Sequence, residues 1–343
     1  MKSLITITFI SILMLWGTGD YTLDSIVMQR YALIAAFCSM YIVYKVPTYT
    51  KPIVAIVLLS GVFTSMWFSI YSNEPFEIQA PLRQHSAIGL VFFVSILMFV
   101  LKLSKQHIYD VLEFFGILGI ITTVMILFSS NPSGQAPIFD NASMTGCFIA
   151  ITLFLLPKQL FKIAFPFALL AVLLIKASTP LMCIGGGFII KYRKNKWMWM
   201  ALSVVPIFMY FKQPTEGWFH SSGRTWIWKI AMNWLVEHEK LLFGSGLSTT
   251  TVLLPMIQVE NKQEHNQWFF WLHNDFLQIM FELGIVGISA FIVMCTNAIY
   301  RIRHNERLLP AVVAYGLCMI TNFPLHLPIH ALLGFLLIGA CYK

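Results

Sequence analysis

Apolar runs of 14 to 25 residues, separated by short polar turns, recur from one end of the chain to the other. No water-soluble core can take up that much continuous apolar chain, whereas a bilayer can, provided each backbone N–H and C=O is satisfied within its own segment. The runs therefore predict membrane helices. Composition agrees: 58% hydrophobic residues, 11% charged residues and a mean hydropathy of +0.74 lie outside the range of a soluble globular domain. The expected fold class is all-α, one polytopic membrane bundle over residues 1–343 with about twelve spans. These fall at 3–17, 29–45, 52–70, 86–103, 109–128, 142–157, 159–175, 178–191, 196–211, 275–299, 307–322 and 326–341. Several are shorter than the roughly 20 residues of a perpendicular helix, so they are expected as tilted partners or half-spans.

The distribution of lysine and arginine orients the spans. With the N-terminus in the cytoplasm, inside segments collect 15 of the 23 basic residues. The other eight, Arg30, Arg83, Lys176, Lys212, Arg224, Lys229, Lys240 and Lys262, fall outside with most of the acids. The net charge of +8 is then a consequence of topology and implies no nucleic-acid partner. The short first span after Lys2 leaves a cleaved signal peptide open. All six cysteines sit inside spans without a CxxC pair, which reads as packing rather than a disulfide set or a metal site.

One segment breaks the pattern. Residues 212–273 form a 62-residue extracytoplasmic loop, long enough to build part of a site outside the bilayer. Within it Ser221 or Ser222 can cap a helix on which Trp226, Ile227, Ile230, Ala231, Trp234 and Leu235 recur at helical spacing. Its three tryptophans suit the headgroup level of a membrane. A glycine turn, LLFGSGLSTT, and a polar stretch, VENKQEHNQ, follow.

The loop leads into WLHNDFLQIMFELGIVGISAFIVM, residues 271–294, where a polar cluster enters an apolar span. Asp275 and Gln278 have capping-box spacing, so a helix is expected to begin at Asp275 with His273 just before it. Asp275, Gln278, Glu282 and Ser289 share a stripe of that helix, and an ionisable Glu282 at such depth must face protein or water. Near a helix N-terminus a neutral His273 stands beside an anion-attracting site, as a general base would; the plainer alternative is a hydrogen-bonded interfacial histidine. Arg83, at the outer end of a span, is either an anion ligand or a snorkelling arginine, and Lys176, in a short outer turn, adds positive potential. His326 and His330 have the i, i+4 spacing of a metal pair, but Pro324 and Pro328 disturb the helix and no acidic residue is near in sequence. Gly185, Gly186 and Gly187 are expected to permit close helix packing.

The pattern H-N-D-F-L-Q-x-x-x-E-L-G-I-x-G, His273 to Gly287, resembles the signature after the large periplasmic loop in the O-antigen ligase and polymerase superfamily of bacterial membrane glycosyltransferases. G-R-x-x-I-W, Gly223 to Trp228, and F-G-S-G-L, Phe243 to Leu247, resemble that family's loop motifs in the same order. The resemblance implies an enzyme of the inner membrane with its site facing the periplasm. Without metal or cofactor it would transfer a glycan from undecaprenyl pyrophosphate to an acceptor hydroxyl on lipid A-core, a growing glycan or a protein. It implies that His273 is the base and that Arg224, with Arg83 and Lys176 as further candidates, binds the pyrophosphate. Asn274, Asp275, Gln278 and Glu282 would support them. A serine-arginine pair common in the family is replaced by Ser178-Thr179-Pro180, which leaves the acceptor open. The competing class is a flippase or transporter of lipid-linked sugars, which has little use for ionisable residues gathered at one helix mouth. A protease is disfavoured, since there is no HExxH and Gly244-Ser245-Gly246 lacks G-x-S-x-G spacing.

Overall fold

The computed structural model describes residue 100 and residues 103–130, 141–194, 224–246, 249–261 and 269–343. Arg83, Ser221, Ser222 and the expected spans 3–17, 29–45, 52–70 and 196–211 lie outside the described residues, as does nearly all of 86–103. Among the described residues the chain is all-helical, with no strand.

Helix α1, Lys105–Leu127, starts where the Ser104 side chain accepts from the His107 N–H, and α2, Ala142–Leu153, where Asn141 accepts from Met144. Pro157 ends the turn before α3, Lys158–Ile175, which closes on Lys176 in the left-handed region at φ 57°. Helix α4, Ser178–Lys191, carries Pro180 in its first turn, where no intrahelical N–H is lost. After the described chain resumes come α5, Arg224–Glu237, and α6, Thr250–Glu260. Helix α7, Asp275–Ile302, is followed by α8, Leu308–Thr321, a 3-10 turn at Pro324–His326, and α9, Pro328–Tyr342.

Two apolar clusters hold these elements. The larger joins α1 to α4 with α8 and α9, centred on fully buried Phe115, Phe148, Phe154 and Phe161. Helix α4 lies close against α8 and α2 because of its glycines: a Cβ on Gly186 would meet Leu317 at 2.2 Å, and one on Gly187 would meet Phe154 at 2.2 Å. Gly185 differs from the expectation, for among the described residues a Cβ there would meet nothing within 4 Å. The smaller cluster is Ile227, Ile230, Ala231 and Leu235 of α5 with Leu254, Ile257, Phe269, Leu272 and Phe281. The apolar stripe of α5 is thus spent on protein, with Trp226, Trp228 and Trp234 half-buried at its edges.

Three helices, α1, α3 and α7, are long and apolar enough to cross a membrane; α2, α8 and most of α9 are apolar but shorter. Ile121 of α1, Ile163 and Phe167 of α3, and Val286, Ile292 and Val293 of α7 point outward, as lipid-facing residues would. The basic ends of α4 and α7 meet: Arg193 donates to the Arg303 carbonyl and Lys191 to that of Glu306. The ends bearing Arg224, His273 and Thr321 meet elsewhere, and there the polar residues gather.

Candidate functional site

A break in α7 separates the polar cluster from the apolar span. The expected single helix over 275–299 is interrupted at Gly284, whose φ of 65° and ψ of −167° suit only glycine. A broken helix leaves orphan backbone groups, costly in an apolar setting unless protein satisfies them. Residues 241–246 do so. Ser245 and Gly246 donate N–H bonds to the carbonyls of Phe281 (2.9 Å) and Glu282 (2.8 Å), and Ile285 and Val286 donate to those of Leu241 (2.9 Å) and Leu242 (3.2 Å). The two strands of backbone cross at paired glycines: a Cβ on Gly244 would lie 2.4 Å from the Glu282 carbonyl, and one on Gly284 2.3 Å from the Leu242 oxygen. Residues 241–246 therefore clasp the helix break.

Before the break, α7 turns its polar residues into protein. Asp275 is the first helical residue, but the cap is Asn274, whose side chain accepts from the Leu277 N–H at 3.1 Å. This corrects the capping-box assignment: Asp275 faces the 3-10 turn and accepts there from the Leu325 N–H and from His326 Nδ1, each at 3.0 Å. Gln278 Oε1 accepts from the Leu272 N–H at 3.3 Å, while its Nε2 lies 3.3 Å from Glu282 Oε1 and 2.6 Å from His326 Nε2. Thr250 of α6 donates to the same Glu282 oxygen at 2.6 Å. The expected stripe of Asp275, Gln278 and Glu282 is thus fully engaged, whereas Ser289 lies beyond the break and is exposed.

His273 sits in the turn before the cap with φ 52°, an uncommon conformation for a residue other than glycine. Its ring is met edge-on by Phe323, with centroids 4.6 Å apart, and by Phe269 at 5.8 Å. Its Nδ1 is buried and bonded to nothing, whereas Nε2 is not buried. Burial, followed by the positive charge of Arg224, lowers the imidazole pKa from its usual 6.5 to about 3. The structure therefore brings Arg224 and His273 together. Arg224 Nη1 donates to the Thr321 carbonyl at the end of α8 (2.9 Å), which leaves the rest of the half-buried guanidinium fork for an anion.

An imidazole kept neutral in this way has a consequence for stability. Between pH 6.5 and about 3 the unfolded chain carries a proton on His273 that the folded chain does not. The contribution of the neutral ring is complete above pH 6.5 and is lost as pH falls through that window. Acid scans of Tm should fall less steeply for His273→Gln than for the unaltered protein over that range; parallel curves would contradict a neutral buried ring.

The other candidates separate. Lys176 is exposed in the α3–α4 turn, and the positive charge that acts on His273 is that of Arg224. His326 and His330 diverge: His326 pairs with Asp275, and His330 Nε2 lies 3.0 Å from the Met144 carbonyl. The expectation that His326 lacks an acidic partner is corrected, because Asp275 is 51 residues away in sequence yet in contact. Among the described residues, Cys147, Cys183 and Cys318 are the group whose donor atoms come close enough to hold a metal, all within 4.8 Å of one another. They meet, fully buried, where α2, α4 and α8 converge, a convergence that their spacing in the sequence did not show. The participants that sequence reasoning missed are Thr250, Thr321 and Phe323, since none has a local motif. No protein-family model matches the chain, and no curated protein matches it.

Proposed function

We propose that the protein is a membrane glycan transferase of the O-antigen ligase or polymerase type, acting at the periplasmic face of a bacterial inner membrane. The observation that carries this reading is geometric: a histidine with one ring nitrogen buried and unbonded, near an arginine at the mouth of a broken helix. His273 takes the proton of an acceptor hydroxyl as its oxygen attacks the anomeric carbon of the donor sugar. The bond from that carbon to the pyrophosphate oxygen breaks, and undecaprenyl pyrophosphate leaves with the electron pair. Arg224 neutralises the charge that grows on the leaving phosphates, where a planar fork binds better than a lysine. The donor is already activated, so positioning and charge neutralisation provide most of the acceleration. Asn274, Asp275, Gln278 and Glu282 hold the two groups. The acceptor is lipid A-core, a growing glycan or a protein. Basic helix ends gathered away from this site support a periplasmic orientation.

The test is transfer by the purified protein in lipid nanodiscs, with an undecaprenyl-pyrophosphate glycan and each acceptor class in turn. Arg224→Lys should raise the donor KM and lower kcat/KM by about 10²-fold while the protein stays monodisperse. Unchanged donor kinetics would rule out a forked phosphate contact. Movement of the intact lipid-linked glycan across the bilayer, without transfer, would establish the transporter instead.

A further inference from the structure

We propose that Asp275 and His326 form a buried positioning pair that sets both halves of the site from one carboxylate: His273 through Phe323, and Arg224 through Thr321. The inference rests on the transferase reading for its kinetic consequence but on geometry for its existence. Asp275 is completely buried and both its oxygens are used, one by the Leu325 N–H and one by His326. Those bonds fix the turn that follows α8. That turn carries Phe323, whose ring stacks on Trp271 with centroids 5.1 Å apart and planes within 8°, and meets the His273 ring edge-on. One residue before the turn's start, at the end of α8, is the Thr321 carbonyl that holds Arg224. His273 approaches from the turn before α7 and Arg224 from the start of α5, and the end of α8 with the turn that follows it meets both.

The hydrogen bonds run in one direction, which assigns the protonation of the pair. Leu272 donates to Gln278 Oε1, so the Gln278 amide nitrogen faces both Glu282 and His326 Nε2. His326 Nε2 then accepts, and Nδ1–H donates to Asp275. Turning the amide over would set its oxygen against Glu282 and its nitrogen against the Leu272 N–H. His326 is therefore placed to work through its Nδ1–H, and the two nitrogens can be tested separately.

His326→Asn keeps a donor where Nδ1 stands, and His326→Gln keeps a group near Nε2 but loses the donor to Asp275. In the nanodisc transfer assay the asparagine variant should stay within about fivefold of the unaltered kcat/KM, and the glutamine variant should fall about 10²-fold, the effect of an ångström-scale misplacement. Asp275→Asn, which cannot accept on both sides, should match the glutamine variant. A second readout does not need transfer: titration of the His273 ring in protein carrying 15N-histidine, assigned by its loss in His273→Gln. Arg224 is the charged group acting on that ring, and Phe269 and Phe323 face it. His326→Gln should move its titration up toward 6.5, and His326→Asn should not. Equal loss in both variants, or an unmoved His273 titration in folded His326→Gln, overturns the pair. A moved titration in a protein that transfers no glycan to any acceptor confirms the pair and overturns only the transferase reading.

Discussion

His273→Gln is expected to lower kcat for glycan transfer by about 10³-fold while leaving the donor KM nearly unchanged. The reason is geometric before it is electrostatic. The ring is held by Phe323 and Phe269 with one nitrogen sealed in protein, which leaves the other for the proton transfer proposed above. Glutamine can occupy the space but takes up no proton at neutral pH. Because burial and Arg224 keep the imidazole neutral, the acid limb of kcat/KM for the free enzyme should lie well below pH 6, where an ordinary histidine is half-protonated near 6.5. A limb at 6.5 would place the ring in water. A His273→Gln protein with full kcat would remove it as the base and leave an interfacial residue.

The largest effect on folding is expected at the helix break. Gly284→Ala places a Cβ 2.3 Å from the Leu242 carbonyl oxygen in a backbone conformation that L-residues rarely adopt. Neither cause can be relieved by turning a side chain, since the obstructing atom is backbone. The combined penalty is on the order of 3 kcal/mol or more, enough to unfold a marginally stable protein. Gly244→Ala meets the Glu282 carbonyl at 2.4 Å and should behave the same way. Gly185→Ala is the matched control, because among the described residues nothing lies within 4 Å of the added methyl group. Thermal unfolding and gel filtration of the three variants would check this: the first two aggregated or strongly destabilised, the third within about 0.5 kcal/mol of the unaltered protein. A stable Gly284→Ala protein would mean that α7 is continuous and that residues 241–246 do not clasp it.

Much of this was readable from spacing. The start of α7 at Asp275, the stripe of Asp275, Gln278 and Glu282, and the apolar face of α5 follow from intervals of three and four residues, which one helix enforces by itself. The cap was misassigned by one residue because Asn274 and Asp275 are both good caps, and only the long-range pull of Leu325 and His326 on the carboxylate decides between them. The break at Gly284 was hidden in an uninterrupted apolar run. Its signal lies 40 residues upstream, in Gly244, and no local rule couples the two. The pairing of His326 with Asp275 was hidden in the same way, across 51 residues. The proximity of Arg224 to His273, which the motif resemblance implied only as shared function, required three elements to converge: α5, the turn before α7, and the end of α8.

The most direct measurement is a surface-polysaccharide gel of a strain lacking this protein, complemented with the unaltered chain or with His273→Ala at matched membrane levels. Only the unaltered chain should restore the glycan ladder. The deletion alone should show bare core if the acceptor is lipid A-core, or a single repeat on core if it is the growing glycan. Full restoration by His273→Ala would contradict the account, because it would leave the protein needed for the glycan but the histidine unnecessary for its transfer.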